Sequence, residues 1–388
     1  NPEEYWSLEV ELTPHGEPRP FRAAVKSKDG EELDLKAEAQ VKPLAEELQQ
    51  AQYVVAQVEK KPRTRHPQPP FITSTLQRQA ANELNFSARK TMMVAEQLYQ
   101  GVDAGAEGTV GLITYMRTDS TRVADQAVTQ ARAFITEQFG EQYIGPGARG
   151  KAAKGAQEAH EAIRPTSLTH TPEQVRPFLD KDQAALYELI WRRFIASQMA
   201  PAKMEQVAVD IAARPAPQGA APGASTYGLR ATGSSVVFPG YLAVMPEKEE
   251  DGAVAVLAEL QPEQELALVQ VFPEQHFTKP PPRYTEATLV QELEENGIGR
   301  PSTYAAIIET LRQRKYVRMK ERAFVATPTG LVVCDYLSDF FPHVVDIEFT
   351  SRVEEDLDAV EEGHVNWVEL MRRYNEDLES QLQAAQGE

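Results

Sequence analysis

The chain has 388 residues, 41% hydrophobic and 25% charged, enough for two or three domains at roughly 150 residues each. No apolar run reaches the ~18 residues that a membrane-spanning helix needs, and a single cysteine, Cys334, excludes an internal disulfide and any multi-cysteine zinc site. The formal charge of −18 would argue against nucleic acid if it were evenly spread, but residues 60–90 hold seven Lys or Arg against one acid, and residues 312–322 hold six against one.

The first 60 residues read as strands, with Tyr/Val-rich or alternating runs at 5–12 and 52–58 and turns at His15-Gly16 and Asp29-Gly30. Helical spacing then takes over. Leu76, Ala80 and Leu84 recur at one face of 73–84, and Ser87 opens a helix that stops at Gly101. Residues 122–139 repeat the pattern, Thr171-Pro172 is a helix start, and 181–199 is a long helix with Leu186, Ile190 and Phe194 inward. Strand patterns return at 206–212, 227–231 and 236–244, with a Pro/Gly/Ala-rich loop at 215–225, and Pro280-Pro281-Pro282 marks a boundary. The outline is a helical domain inserted into a β domain, free to move about two chain crossings near residues 70 and 199. Beyond the prolines come a helix at 286–296, a Gly297-Ile298-Gly299 turn, a second helix capped by Ser302, and a basic hairpin at 316–327. That is the outline of a winged helix-turn-helix. From Phe349 the chain is acidic and helical.

Four patterns bear on chemistry. Residues 145–152, GPGARGKA, have the spacing of a phosphate-binding loop, but Ala152 stands where a Ser or Thr should hold magnesium. A flexible basic loop fits better. Asp356 and Asp358, followed by Glu361 and Glu362, suggest a Mg²⁺ site. On a helix, however, two residues apart point about 200° apart, so a solvated acidic face is the better reading. In GLITYMRTDST (111–121), strand alternation puts Tyr115 and Arg117 on one side, about 7 Å apart. A helix beginning at Asp119 or Ser120 would add an anion site beside them. Such a tyrosine is a candidate phosphoryl-transfer nucleophile. In QEAHEAIRP (157–165), His160 and Arg164 would lie one helical turn apart, a pair suited to a second phosphate contact.

These segments, together with PPFITSTLQRQA (69–80), TMMVAEQLYQG (91–101) and RYTEATLVQELEENGIGRPSTYAAII (283–308), strongly resemble the type IA DNA topoisomerase family, in its bacterial branch. The matches run in the family's order from about Tyr5 to about Glu376. The resemblance implies an α+β multidomain, toroidal core: a β arch (1–70 and 199–278), a helical gate domain (71–198), and part of a mainly helical, winged-helix-like single-strand groove domain (279–388). It implies that Tyr115 is the nucleophile that forms a 5′-phosphotyrosyl bond. Arg117 would steady the scissile phosphate, and His160 and Arg164 would contact DNA near the cut. Arg283, Glu286, Arg300, Ser302 and Thr303 would belong to the DNA-binding block that shapes the groove.

The departures from the family pattern are equally specific. Nothing here matches the toprim domain that supplies the Asp-X-Asp magnesium site and a catalytic glutamate and lysine, nor the C-terminal zinc ribbons. The resemblance thus implies a fragment, consistent with a first residue that is not Met. Mg²⁺ would be a cofactor of the whole enzyme held outside this chain. The partners would be DNA, in a single-stranded segment of negatively supercoiled duplex, and the toprim domain. A monomer in the cytoplasm, associated with the nucleoid, is expected, and the chain alone should be inactive. Two other classes compete: a non-enzymatic single-stranded DNA-binding module built on the basic winged-helix region, and a P-loop ATPase, which nucleotide binding would reveal.

Overall fold

The computed structural model describes residues 2–148, 160–215, 225–246 and 253–386. Its elements follow one another as β1 (Glu4–Pro14), β2 (Phe21–Lys28), β3 (Glu31–Glu32), α1 (Glu38–Gln49) and β4 (Ala51–Arg65). The helical stretch comes next, with α2 (Thr73–Glu83), α3 (Ala88–Gln100), the short pair β5 (Val102–Asp103) and β6 (Thr109–Val110), α4 (Asp125–Phe139), α5 (Pro172–Val175) and α6 (Lys181–Gln198). The chain returns as β7 (Ala202–Pro215), β8 (Tyr227–Phe238), α7 (Ala253–Glu259) and β9 (Glu265–Phe277). It ends with α8 (Glu286–Glu295), α9 (Tyr304–Gln313), the hairpin β10 (Val317–Lys320) and β11 (Ala323–Ala326), then α10 (Pro328–Phe340), α11 (Pro342–Val345), α12 (Ile347–Glu361) and α13 (Trp367–Gln386). Two compact units result, Asn1–His66 with Pro201–Pro282, and Pro67–Ala200 with Arg283–Glu388.

The first unit is one antiparallel sheet in the order β1-β9-β4-β7-β8-β2-β3, and β2 also pairs with β1. Six strands therefore close on themselves, which leaves β3 as the appended edge and removes the unpaired backbone that an open sheet exposes. Alternation sets the inner face: Leu8, Val10 and Leu12 of β1 are buried, as are Tyr53 and Val55 of β4 and Val207, Val209, Ile211 and Ala213 of β7. The β4–β7 ladder runs from Ala51 opposite Pro215 to Arg65 opposite Ala202. These two strands carry the chain to the helical insert and back.

Two features of this unit differ from the sequence reading. Helix α1 interrupts the stretch taken as all strand, and buries Val41, Leu44 and Leu48 in the sheet's core. Pro43 inside it disguised the helix, because proline removes a backbone donor and is rare in helix interiors. The two strand runs at 227–231 and 236–244 are a single strand, β8, that ends at Phe238 before a short turn of 3₁₀ helix.

In the second unit, α6 is the central helix of the insert. Leu186, Tyr187, Ile190, Phe194 and Ile195 are all buried, so it is covered on most sides. Buried Arg193 is accommodated because it donates to the Pro69 carbonyl at 2.6 Å and to Gln79 at 2.9 Å, and lies over the Phe71 ring. Residues 284–326 form helix, glycine turn, helix and hairpin around a small core of Val290, Tyr304, Ile308 and Phe324, to which the insert contributes Ala88. No helix among the described residues is long and apolar enough to cross a membrane.

Candidate active site and nucleic-acid interface

Residues 111–121 run extended along the end of α3. The Leu112 N–H donates to the Leu98 carbonyl at 2.8 Å. Only glycine fits at 111, since a Cβ there would sit 2.7 Å from the Tyr99 carbonyl oxygen. Thr114 then fastens the strand to residues 162–164: its N–H donates to the Arg164 carbonyl at 2.9 Å, its Oγ1 donates to the Ala162 carbonyl at 2.7 Å, and it accepts the Arg164 N–H at 3.0 Å. Just beyond, Thr73 at the start of α2 holds residues 116–118. Its Oγ1 lies 2.7 Å from the Met116 carbonyl oxygen and accepts the Thr118 N–H at 2.9 Å.

Between these two fastenings the side chains alternate. Met116 and Thr118 are buried, whereas Tyr115 is 41% exposed and Arg117 is exposed. The Tyr115 ring meets Tyr99 edge-on at 5.4 Å and His160 at 6.2 Å between centroids. Arg117 has no hydrogen-bond or ion-pair partner among the described residues. Tyr115 therefore presents an accessible phenol beside an imidazole, and two residues on stands an exposed guanidinium that is uncommitted among the described residues. The arginine can receive an anion there without first breaking an existing pair.

The expected helix start beside Tyr115 is corrected: α4 begins only at Asp125, with Ala124 as its N-cap. Local side-chain turns occupy the intervening chain, where the Ser120 N–H donates to Thr118 Oγ1 and the Arg122 N–H to Ser120 Oγ. Such bonds offer the backbone an alternative to helix.

The segment with His160 and Arg164 is likewise extended rather than helical. Ile163 bridges to Phe71, and Pro165 bridges to Ile113. The reason is that the backbone of 162–166 is used in pairing with Phe71, Leu112 and Thr114. His160 still reaches the Tyr115 ring. Arg164 is turned to Glu161, with Nε and Nη2 both 2.8 Å from Oε2, and is 14% exposed. Residues 149–159, including the rest of the phosphate-loop-like stretch and the start of this motif, lie outside the described residues.

The block at 283–303 divides. Arg283 is exposed. Glu286 is 9% exposed, accepts the Ala88 N–H at 2.6 Å and has Arg312 3.6 Å away; the two side chains line a cavity of about 510 Å³ with Phe86, Ser87 and Arg322. Ser302 and Thr303 are exposed, and Thr303, not Ser302, is the N-cap of α9. Arg300 donates to Asp358 at 2.6 Å and lies 3.7 Å from Glu354. It lines a cleft of about 940 Å³ with Asp119, Thr121, Glu294, Glu355 and Glu362. Tyr304 also lines the cleft, and burial pushes its phenol pKa up to about 12.

Asp356 and Asp358 serve different partners, the former bonding Arg373 and Tyr374, the latter Arg300. Among the described residues, no group of three or more His, Cys, Asp or Glu could hold a metal ion.

Thr73, Thr114 and Tyr99 escaped the sequence reading. Each belongs to a run with an ordinary local explanation, and only the contact with 111–121 distinguishes them.

The structure resembles the full-length topoisomerase I from Thermotoga maritima, with a TM-score of 0.81 and 36% identity over 98% of this chain. The chain spans 59% of that protein's length. The family profile described as DNA topoisomerase matches residues 1–372. By sequence and by fold, the chain belongs to the type IA DNA topoisomerases.

Proposed function

We propose that this chain is the cleavage-and-gate portion of an ATP-independent topoisomerase that relaxes negative supercoils. The observation that carries the reading is the exposed Tyr115 two residues from Arg117, which has no partner among the described residues, on a strand fastened at Thr114 and at Met116–Thr118. The Tyr115 hydroxyl gives up its proton to solvent as its oxygen attacks a backbone phosphorus. The P–O bond to the Tyr115 oxygen forms as the bond to the 3′-oxygen breaks, and that oxygen takes up a proton. The strand is left joined through a 5′-phosphotyrosyl link. That link conserves the phosphodiester energy, so the reverse attack reseals the strand without ATP. Arg117 stabilises charge building on the phosphate oxygens. His160, beside the Tyr115 ring, contacts the DNA near the cut. Mg²⁺ would organise phosphate charge when bound. It would be held by a toprim domain elsewhere in the whole enzyme, which would also supply the proton donor. The chain alone then forms no adduct.

The test is denaturant trapping of labelled single-stranded DNA on the intact protein and on Tyr115→Phe. A 5′-linked adduct in the first and none in the second, with binding nearly equal, is the expected result. An adduct persisting in Tyr115→Phe would place the nucleophile elsewhere. Binding without any adduct in the intact protein would favour a plain single-stranded DNA-binding module.

A further inference from the structure

We propose that Thr73 is a positioning residue for cleavage, which holds the Tyr115–Arg117 strand at the place from which the phenol attacks. This rests on the reading of Tyr115 as the nucleophile. Thr73 is the first residue of α2 and is fully buried. Its side chain and backbone together engage both sides of Arg117. The hydroxyl lies 2.7 Å from the Met116 carbonyl oxygen and 3.1 Å from that of Thr118, so its one hydrogen is divided between them. The same oxygen accepts the Thr118 N–H at 2.9 Å, and the Thr73 N–H donates to the Thr118 carbonyl at 2.9 Å.

These bonds matter because the strand has little else to hold it there. Residues 111–121 make a single isolated bridge, Ile113 with Pro165, and join no sheet. Upstream of Tyr115, Thr114 ties the backbone to residues 162–164. Downstream, Thr73 supplies the side-chain tie. Tyr115 is the position between two anchored neighbours. Removing one anchor lets the phenol and the guanidinium drift relative to each other, and a misplacement of about 1 Å can cost on the order of 10²-fold in rate. Arg117 would feel the loss most, since both of its neighbours are bonded to the same hydroxyl.

Thr73→Val keeps the shape and removes the hydroxyl, and Thr73→Ser keeps the hydroxyl. In the intact protein, Thr73→Val should slow single-turnover adduct formation by on the order of 10²-fold while single-stranded DNA affinity stays within about twofold. Thr73→Ser should remain near the parent rate. Amide exchange at Thr118 should accelerate in Thr73→Val and stay protected in Thr73→Ser. Should the valine variant not fold, Thr73→Cys, a weaker donor, should fall clearly below Thr73→Ser in rate. Equal rates for Ser and for Val or Cys would overturn the proposal, as would a loss of affinity matching the loss of rate. A normal adduct in the parent, none in Tyr115→Phe and full activity in Thr73→Val would defeat the role of Thr73 alone. No adduct in the parent, or one persisting in Tyr115→Phe, would defeat the reading of Tyr115 and this proposal with it.

Discussion

The carboxylate of Glu286 accepts the backbone N–H of Ala88 at 2.6 Å, and this bond ties the first turn of α8 to the first turn of α3. Glu286 thereby acts as an anionic cap on a helix from another part of the chain, placed where the helix dipole favours negative charge. Glu286→Ala should lower stability by about 1–3 kcal/mol, the range for leaving a buried polar group unpaired. Single-stranded DNA affinity should change less than twofold. Denaturant unfolding and a binding titration check this. Intact stability with collapsed affinity would make Glu286 a DNA contact rather than a structural cap.

Arg117 should matter far more to the rate than to binding. If its guanidinium acts as a donor to the developing phosphate charge, Arg117→Ala should raise the cleavage barrier by about 2.7–4 kcal/mol. Arg117→Lys should recover part of this, since a point charge replaces a planar fork. Single-turnover cleavage rates decide. Equal losses in affinity and rate would make Arg117 a docking contact.

Gly111 reports on the seat of the nucleophile strand. A methyl group there meets the Tyr99 carbonyl oxygen at 2.7 Å, a backbone atom that cannot swing aside. Gly111→Ala should cost about 1–3 kcal/mol of stability, as overpacking does, and should lower adduct yield by shifting Leu112 off Leu98. A fully stable and active alanine variant would mean that the strand is not seated on α3 in this way.

In the sheet unit, the Tyr227 hydroxyl bonded to Glu47, with Lys28 adding a second contact, holds that carboxyl below its usual range. A carboxyl shifted down stabilises the folded state above its free value of 4.5, and that contribution fades as pH falls further through the lowered value. Glu47→Gln should therefore be less stable than the parent near neutral pH, with the gap closing as pH falls below 4.5. Denaturant midpoints at both ends check it. A gap that does not change with pH would assign the effect to packing.

Local chemistry made the helices legible. Ser87 caps α3, and Gly101 ends it with a positive φ of 118° that few side chains tolerate. The Thr285 cap and the Gly297 and Gly299 turns shape the helix–turn–helix in the same way. Tyr115 and Arg117 were legible as a pair because alternation in an extended chain is a property of neighbours. Their exposure, and the absence of a hydrogen-bond or ion-pair partner for Arg117 among the described residues, were not.

What the sequence by itself determined were the features carried by residues a few positions apart: the caps of α3 and α8, the basic stretches, and the family motifs. Tertiary structure alone decided the rest. The closed sheet depends on pairings such as Glu4 with Phe277, whose register no local pattern records. Glu286 reads as an exposed acid until α3 supplies the N–H that buries it, and the 160–165 motif reads as helix until Phe71 and Thr114 take its backbone bonds. In each case a hydrogen bond formed across a large sequence separation outweighed local preference, because a buried backbone or carboxylate group must find a partner wherever the fold provides one.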